Sequence, residues 1–429
     1  MPRLPDPRFA ADCAIEVDGR PVAARAGESV AVALLAAGRR LVARSSKYHR
    51  PRGAFCLAGS CHSCLARVDG VPNQRTCQVP CRPGLAVESQ NALPTVQHDL
   101  LRAVDRVYAR GLDHHSLMTW SGLANRAAVA FSRRLAGLGT LSDRPPTPSP
   151  PALEERFDAL VVGAGPAGLA AAEALARAGR RVLLADCDRS PGGRLRCGLG
   201  RAGDPPLAWV GEVTRAVASA GGEASGSLTA LGVWHDGGSP LVALRAGGDA
   251  PRLRLVRAPR LVLATGTSAV PPLFARNDLP GIFAARGLAR ALAEDGLVPG
   301  ERAVVLGEGA EADALAERLA RAGMQVRPSH RVAGVRGGAR LTGVLLPHGE
   351  RVASDTLAFA GPRAPACDLA RQAGAAVELD PASGGFRVCT GPAGDAGAPG
   401  LWAAGEMVAP MSPAEAAEAG RRAGDAARG

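Results

Sequence analysis

Four of the ten cysteines stand close together in the sequence: Cys56, Cys61, Cys64 and Cys77. Their spacing is C-x4-C-x2-C-x12-C. Three thiolates on one tight loop and a fourth from a following strand match the ligand pattern of a plant-type [2Fe–2S] cluster. Gly59 within the loop would let backbone N–H groups approach the sulfides and tune the potential. The sequence therefore predicts that these four cysteines hold a [2Fe–2S] cluster.

Other chemistries remain open for this cysteine group. A structural zinc ion prefers two closely spaced cysteine pairs, and Cys77 and Cys81, separated by three residues, could supply the second pair. A thioredoxin-like redox pair at Cys61 and Cys64 would need a βαβ context, which the flanking sequence lacks. Cys81 could also replace Cys77 as the fourth cluster ligand. Cys77 is preferred because it lies nearer the ligand loop.

A glycine-rich turn follows a buried strand pattern in the second half of the chain. The apolar run 159–162 leads into Gly163-x-Gly165-x-x-Gly168 and an alanine-rich helix. Gly163 permits the tight turn, Gly165 lets the backbone reach a pyrophosphate, and Gly168 allows close helix–strand packing. The phosphate then lies at the helix N-terminus, and Asp186 closes the next strand, where an acid bonds a ribose hydroxyl. We predict FAD here, with NAD as the rival for the same pocket.

Residues from further strand ends complete this predicted dinucleotide site. An Ala-Thr-Gly segment carries Thr265 and Gly266, and a late strand is followed by Gly405 and Glu406. Two-dinucleotide flavoproteins use such segments to complete the FAD site, with an aspartate where this chain has Glu406. The predicted cofactor-binding residues are Gly163, Gly165, Pro166, Ala167, Gly168, Asp186, Gly193, Arg194, Thr265, Gly266, Gly405 and Glu406.

A second strand–glycine–helix pattern occupies residues 302–326, with Gly307 at its turn. Such a unit would bind NAD(P)H. However, Glu308, Glu311 and Asp313 place three carboxylates around the helix N-terminus, where they repel a pyrophosphate. Either a working nicotinamide site or a retained structural fold is compatible with this pattern.

The elements around these motifs predict the fold. Ile15 and Val17 alternate toward an Asp18-Gly19 turn, which indicates a hairpin, and Ser29 caps the helix that follows. The fold class expected is an α+β N-terminal β-grasp [2Fe–2S] ferredoxin-like domain, followed by an α/β two-dinucleotide-binding flavoprotein with a Rossmann-like fold.

The expected domain bounds follow the motifs and a proline-rich run at 145–151. The ferredoxin-like domain is expected at 1–100, and a helical segment with a stiff proline-rich linker at 101–156. The FAD- or NAD-binding domain is expected at 157–295 and 356–429. An inserted second nucleotide-binding domain is expected at 296–355.

The chain has a formal net charge of +11 and a sequence pI near 9.8. Lys47 is the only lysine, and aromatic residues make up 3% of the chain, whereas a nucleic-acid binder should show clustered basic residues with interleaved aromatics. We therefore expect no nucleic-acid partner. No apolar stretch reaches the ~20 residues of a transmembrane helix, and the N-terminus lacks the apolar core of a signal peptide, so a cytoplasmic protein is expected.

The sequence resembles the alpha subunit of heterotetrameric sarcosine oxidase and the accessory subunits of hydrogen cyanide synthase and related amino-acid dehydrogenases. The segments that carry the resemblance are 26–38, 45–53, 87–100, 163–168 and 264–283. The resemblance implies a fused [2Fe–2S] and FAD/NAD-binding subunit within a larger flavoenzyme complex. Sarcosine oxidase alpha subunits generally lack the cluster cysteines, which are present here as in the iron–sulfur subunit of cyanide synthase.

This resemblance predicts an FAD-dependent oxidoreductase that acts as an electron-transfer subunit of an amine or amino-acid dehydrogenase or oxidase. A DadA-like or sarcosine-oxidase-beta-like flavoprotein partner would oxidise the substrate, and FMN at a subunit interface is a further candidate cofactor. The basic segment 45–53 would hold a flavin phosphate, dock the partner or be a solvated loop. A self-sufficient NAD(P)H reductase and a non-catalytic scaffold with a structural nucleotide are the alternatives. No catalytic triad or paired acids are present in the sequence pattern, so no catalytic residue is assigned.

Overall fold

The computed structural model describes residues 3–107, 118–135, 150–235, 238–247 and 251–429. The chain forms two compact units. One comprises Met1–Pro145 with Pro271–Gly361, and the other Pro146–Val270 with Pro362–Gly429. Most of the predicted proline-rich linker and part of the helical segment before it lie outside the described residues. The domain bounds expected from the sequence stay a prediction.

The N-terminal part of the first unit contains a small sheet, and the first of its three α-helices contributes to the core of that sheet. Its strands are β1 Cys13–Val17, β2 Arg20–Ala24, β3 Ala43–Arg44, β4 Pro51–Arg52, β5 Leu65–Val68, β6 Val71–Arg75 and β7 Ala86–Glu88. Its α-helices are α1 Val30–Ala36, α2 Ala103–Val107 and α3 Gly122–Leu135. Short 3₁₀ helices lie at Pro7–Phe9 and Leu100–Arg102.

The sheet of this part has the strand order β2-β1-β7-β5-β6, with β1 and β7 parallel and the other neighbours antiparallel. The predicted hairpin is confirmed: Asp18 and Gly19 form its turn with positive φ angles. The predicted cap is confirmed as well, because the Ser29 hydroxyl accepts from the Val32 N–H at 3.3 Å. Ile15 and Leu34 lie in the core between sheet and helix. This is the expected β-grasp architecture.

The second unit begins with strand–helix alternation. Its first elements are β8 Leu153–Arg156, β9 Ala159–Val162, α4 Pro166–Arg177, β10 Val182–Ala185, a 3₁₀ helix Gly193–Cys197, α5 Ala208–Ser219, β11 Glu223–Ser225, β12 Leu228–Trp234, β13 Leu241–Ala246, β14 Arg252–Arg257, β15 Leu261–Leu263 and β16 Thr267–Ala269.

The segment 271–361, which belongs to the first unit, repeats this alternation. It contains β17 Ile282–Ala284, α6 Ala285–Asp295, β18 Arg302–Gly307, α7 Ala310–Arg321, β19 Gln325–Ser329, β20 Gly334–Gly337, β21 Leu341–Leu345, β22 Arg351–Ala353 and β23 Thr356–Ala360. Its parallel sheet has the order β17-β23-β18-β19, and β20-β21-β22 form an antiparallel sheet.

The remaining elements complete the second unit. They are β24 Arg363–Pro365, α8 Asp368–Gln372, β25 Val377–Asp380, β26 Gly385–Val388, β27 Leu401–Ala403 and α9 Pro413–Ala426. The central sheet of this unit is parallel, in the order β11-β10-β9-β15-β27. The other sheets have the orders β12-β13-β14-β8, β16-β24 and β25-β26. The doubly wound, Rossmann-like fold predicted from the sequence is thereby confirmed.

Two small residues let helices α4 and α9 pack closely beside this sheet. A Cβ at Gly420 would lie 1.9 Å from the Ala167 carbonyl oxygen, and one at Gly424 would lie 2.7 Å from that of Ala171. The late segment at 405–406 is therefore held beside the first glycine turn. No helix among the described residues is both long and apolar enough to span a membrane.

Candidate iron–sulfur and dinucleotide sites

The ligand loop lies between β4 and β5, and Cys77 follows β6. Cys56, Cys64 and Cys77 are buried, with 2%, 1% and 7% of their surface exposed, and Cys61 is half-buried. Leu57 and Gly59 both have positive φ angles, which turn the chain tightly between the first two cysteines. The loop thus encloses the sulfurs and leaves one side of the group nearer to solvent.

The four sulfurs are connected by hydrogen bonds. The Cys61 and Cys77 thiols donate to Cys56 and lower its pKa, while their own pKa values rise. The Cys77 thiol also donates to Cys64 and lowers the pKa of Cys64 to about 7. Each thiolate opposes ionisation of its neighbours, so four thiolates together need a cationic partner. This donor set fits iron.

The hydrogen bonds form a chain that runs from Cys61 through Cys56 and Cys77 to Cys64. Within the described ranges, no group of three or more His, Cys, Asp or Glu side chains is arranged to hold a metal ion. The spacing C-x4-C-x2-C-x12-C matches the ligand pattern of a plant-type [2Fe–2S] cluster, whereas structural zinc prefers two closely spaced cysteine pairs.

Cys81, the alternative fourth ligand, lies elsewhere. It is 2% exposed and packs in the hydrophobic core of the β-grasp sheet with Ile15, Leu34 and Leu85. Its N–H donates to the Glu28 carbonyl oxygen at 2.7 Å. The geometry therefore favours Cys77 as the ligand and gives Cys81 a structural position.

Sequence reasoning missed one residue beside the cysteines, Thr76. It is fully buried. Its hydroxyl donates to the Cys64 carbonyl oxygen at 2.9 Å, and its N–H donates to the same oxygen at 3.0 Å. Thr76 therefore ties the strand that carries Cys77 to the end of the ligand loop. A lone threonine beside a cysteine has no sequence signature of this role.

The first glycine turn has the geometry expected for a pyrophosphate. A Cβ at Gly163 (φ +101°) would lie 2.2 Å from the Ala264 carbonyl oxygen, and one at Gly168 would lie 1.7 Å from that of Gly163. A Cβ at Gly165, by contrast, would meet nothing within 4 Å. Gly165 caps the N-terminus of α4 without a side-chain hydrogen bond, and Pro166 begins the helix. The helix end and the space in front of it thus fit an anion.

The acid at the end of β10 organises the turn. Asp186 is 8% exposed, and one carboxylate oxygen accepts the N–H of Ala164. The other oxygen accepts the N–H of Asp188 at 2.7 Å. Asp186 therefore joins the glycine turn to the next loop, in the position from which an acid contacts a ribose.

Arg194 and Glu406 meet beside this turn. Their side chains are 11% and 13% exposed, and Arg194 Nη1 lies 2.5 Å from Glu406 Oε1. Arg194 Nε is buried without a hydrogen-bond partner. Gly193 approaches Gly165 so closely that a Cβ would lie 2.8 Å from the Gly165 Cα. A buried cation with an unused donor beside an open helix N-terminus fits a dinucleotide pyrophosphate.

The remaining predicted residues have mainly backbone roles. Gly405 (φ +84°) packs on Ala167, since a Cβ would lie 2.9 Å from the Ala167 Cβ. The Thr265 hydroxyl donates to the Ala366 carbonyl oxygen at 2.6 Å, and Gly266 accepts the Ala366 N–H at 2.9 Å. Thr265 and Gly266 therefore hold the neighbouring chain segment in place.

The second glycine motif fits a pyrophosphate poorly. Gly307 and Gly309 keep positive φ angles, as in a binding turn. Yet the Glu311 carboxylate, in the first turn of α7, is held by the guanidinium of Arg286 with an Nη2–Oε1 distance of 2.6 Å. A paired carboxylate therefore lies where a phosphate would be bound. This geometry favours the structural alternative over a nicotinamide site.

The basic segment 45–53 has many intramolecular contacts. Within it, His49 contacts Asp99, Arg50 pairs with Asp105 and Arg52 pairs with Asp278. Arg44, just before the segment, donates to the Val96 carbonyl oxygen. Burial lowers the pKa of Arg44. Much of the positive charge in this region is thus matched within the chain, and a role in phosphate binding or docking stays a hypothesis.

Two modules define the class of this protein. Residues 10–92 match the family of 2Fe-2S iron-sulfur cluster binding domains, and residues 161–199 match the NAD(P)-binding Rossmann-like domains. The ligand loop and the first glycine turn lie within these ranges. The protein is an oxidoreductase of the iron–sulfur, dinucleotide-binding class.

The chain is 32% identical over 399 residues to sarcosine oxidase subunit alpha of Rhizobium meliloti (strain 1021), covering 82% of this chain and 40% of that protein. It is 46% identical over 85 residues to hydrogen cyanide synthase subunit HcnA of Pseudomonas aeruginosa, covering 20% of this chain and 81% of that subunit. The chain belongs to the family of sarcosine oxidase alpha subunits and hydrogen cyanide synthase-type accessory subunits, as the sequence resemblance predicted. It spans less than half the length of the sarcosine oxidase subunits that it matches.

A solved structure shares the fold. The L-proline dehydrogenase from P. horikoshii superposes with a TM-score of 0.77 at 21% identity, covering 99% of this chain and 74% of that chain. The similarity includes both the β-grasp part and the dinucleotide-binding parts of the chain.

Proposed function

We propose that this chain is the electron-transfer subunit of a multi-subunit amine or amino-acid dehydrogenase or oxidase. The observation that carries the proposal is the grouping of four cysteine sulfurs, three on the loop between β4 and β5 and one after β6. The same chain has an open pyrophosphate cradle at Gly165. The kinship with sarcosine oxidase and hydrogen cyanide synthase subunits supports a redox role on small amines.

The chain's own residues would hold two redox groups. Cys56, Cys61, Cys64 and Cys77 would bind a [2Fe–2S] cluster, and the turn at Gly165 with Arg194 would bind FAD, with NAD as the alternative. A flavin accepts two electrons and an iron–sulfur cluster passes them on singly, so the protein's task is to place the groups and exclude water. Burial of the ligand loop serves that exclusion.

Substrate oxidation would take place on another chain. A DadA-like or sarcosine-oxidase-beta-like flavoprotein partner would take a hydride from the C–H beside the substrate nitrogen, with FMN at the interface as a further candidate. Sarcosine, glycine and proline- or hydroxyproline-like compounds are the substrate class.

The test is purification from the native host with identification of the co-purifying chains, followed by dye-coupled oxidation of sarcosine, glycine and proline. We expect turnover by the complex and none by the isolated chain. In a complex with Cys64→Ser, substrate should still bleach the partner's flavin while dye reduction at the cluster is lost. Cys389→Ser, at a half-buried cysteine outside the ligand loop, is the matched control and should behave as wild type.

Two outcomes would contradict the proposal. Substantial amine oxidation by the isolated chain would place a substrate site on this chain. Rapid NADH or NADPH oxidation by the isolated chain would instead favour the self-sufficient reductase.

A further inference from the structure

The first turn of helix α6 lies directly against the cysteine ligand loop. The N–H of Ala284, the residue that caps α6, donates to the Phe55 carbonyl oxygen at 2.9 Å. One turn later, Gly287 faces the next carbonyl: a Cβ there would lie 2.1 Å from the Cys56 carbonyl oxygen and 3.1 Å from the Leu57 Cβ. The loop and the helix therefore approach at backbone distance.

These two contacts lie on either side of the Cys56 α-carbon. The Phe55 carbonyl belongs to the peptide plane before Cys56, and the Cys56 carbonyl belongs to the plane after it. Because peptide planes are rigid, the hydrogen bond on the first plane and the close packing of Gly287 against the second restrict the φ and ψ angles of Cys56. These angles set the direction of its Cα–Cβ bond, from which the sulfur projects. Leu57, the next residue, has a φ angle of 51°, a strained value for leucine that persists only where the surroundings enforce it.

The close approach of the Cys56 carbonyl explains why residue 287 of this helix is glycine. Glycine in a helix interior is about 1 kcal/mol less favourable than alanine. Gly287 is buried in α6, and alanine would be excluded there by a backbone oxygen that cannot move without moving Cys56. Gly211 in α5 differs, since a Cβ there would meet only the Arg215 side chain, at 3.4 Å.

The helix itself is firmly held. Arg286, beside the contact, forms a bidentate pair with Glu311 of α7. At the other end of α6, Asp295 pairs with Arg25 of the β-grasp part. Helix α6 of the segment 271–361 is thus held in place by ion pairs near both of its ends, and the ligand loop packs against it.

We propose that Gly287 and the Ala284 amide are positioning residues of the iron–sulfur centre, fixing the backbone of Cys56 so that its sulfur meets the cluster in one geometry. The proposal rests on the proposed function only in requiring a cluster on the four cysteines. It gives the segment 271–361 a role that needs no nicotinamide.

The first test is Gly287→Ala. The added methyl group displaces either the Cys56 carbonyl or α6, so the cluster should show altered EPR g values, a shifted midpoint potential and less iron and sulfide per chain than wild type. Nucleotide retained at the first glycine turn should be unchanged. Gly211→Ala makes the same substitution in a helix with room for it and should leave all four measurements at their wild-type values.

The second test is Ala284→Pro, which removes the N–H donated to Phe55. The backbone angles suit proline, because Ala284 has φ −71° and ψ 133°, and Phe283 before it is extended in β17. We expect an EPR change and faster loss of iron to a chelator. The proline Cδ takes the place of the amide hydrogen and lies against the Phe55 carbonyl oxygen, so this variant disturbs the loop at Phe55 and leaves Gly287 unchanged. It therefore gives a separate result if Gly287→Ala does not fold.

The outcomes separate the two proposals. If Ala284→Pro, and Gly287→Ala where it folds, keep the wild-type spectrum, potential and chelation rate, the positioning role is wrong while the cluster assignment stands. If the wild-type protein, purified anaerobically, carries no iron and sulfide, the proposed function fails and this inference fails with it.

Discussion

Arg194 and Glu406 form an ion pair across 212 residues of sequence, with 2.5 Å between Nη1 and Oε1. Both side chains are largely buried. Arg194 comes from the loop after β10 and Glu406 from the segment after β27, and the parallel sheet brings these two strand ends to the same edge. The pair lies beside the Gly165 turn, so the cation that would meet a pyrophosphate already has a carboxylate partner.

This pairing predicts that substitutions of its two members affect dinucleotide affinity differently. Arg194→Ala removes the cation that would bind the pyrophosphate and leaves the Glu406 carboxylate in place. Dinucleotide affinity should therefore fall about 10- to 100-fold, which corresponds to the loss of one charge-assisted hydrogen bond. Glu406→Gln frees the guanidinium and should maintain or raise affinity. Isothermal titration of apoprotein with FAD and NAD measures both. Equal losses in the two variants would show that Glu406 itself contacts the nucleotide.

The open space at Gly165 predicts a variant that folds but does not bind. Gly165→Arg has room for its side chain and an ordinary backbone angle (φ −77°), so thermal stability should be preserved while the pyrophosphate space is filled. Heat-released nucleotide, quantified by chromatography, should be absent. Gly238→Arg, at an exposed glycine with nothing within 4 Å of its Cβ, is the control for added charge. Normal nucleotide retention by Gly165→Arg would place the site elsewhere.

Gly168 provides the converse case. A Cβ there would collide with the Gly163 carbonyl oxygen at 1.7 Å, so Gly168→Ala should distort the turn and destabilise the unit by about 1–3 kcal/mol, as overpacking does. Urea denaturation followed by circular dichroism measures the change. An unchanged midpoint would mean that the turn has more freedom than its packing suggests.

The cysteine geometry predicts four variants that lose the cluster and one that keeps it. Serine at Cys56, Cys61, Cys64 or Cys77 should abolish or strongly reduce the visible absorbance, iron and sulfide of anaerobically purified protein. Cys81→Ala should retain them, at a cost of about 1–2 kcal/mol for a small cavity in the core. Stoichiometric zinc without iron in protein from the native host would contradict the cluster, and loss of iron in Cys81→Ala would reopen the choice of fourth ligand.

The stability of the second unit should depend on pH through Glu223. A hydrogen bond from Arg254 holds the pKa of this carboxyl below its ordinary value. A depressed pKa in the folded state stabilises the protein above the ordinary value of 4.5, and this contribution is lost as the pH falls through the folded pKa. Because the side chain is 41% exposed, the contribution should not exceed about 1 kcal/mol.

Glu223→Gln removes this titration. The difference in unfolding free energy between wild type and variant should therefore shrink between about pH 5.5 and pH 3, as measured by urea denaturation across that range. A difference that stays constant with pH would show that the pair with Arg254 does not depend on the carboxylate charge.

Much of the fold and of both sites follows from local features of the sequence. The hairpin at Asp18-Gly19, the cap at Ser29 and the turn at Gly163 each depend on the φ angles and hydrogen bonds of a few neighbouring residues. Glycine and capping residues reveal such needs because few other residues satisfy them. The cysteine spacing is local in the same sense, since three of the four predicted ligands share one loop.

Only the tertiary structure decided what lies against these local motifs. Cys77 and Cys81 are almost equivalent in sequence, yet one meets Cys56 and the other enters an apolar core. The charge pattern around Glu311 is compatible with either a nicotinamide site or a structural fold. The ion pair between Arg286 and the Glu311 carboxylate, which only the fold brings together, favours the structural fold.

The amino-acid sequence by itself determined the two cofactor motifs, the β-grasp and Rossmann-like elements and the family. It did so because residue type and short spacing control backbone angles and ligand order. The pairing of Arg194 with Glu406 and the contact of Gly287 with the Cys56 carbonyl were decided by the fold. Partners far apart in sequence meet only where strands and helices pack, and neither member of such a pair carries a local signal of the other.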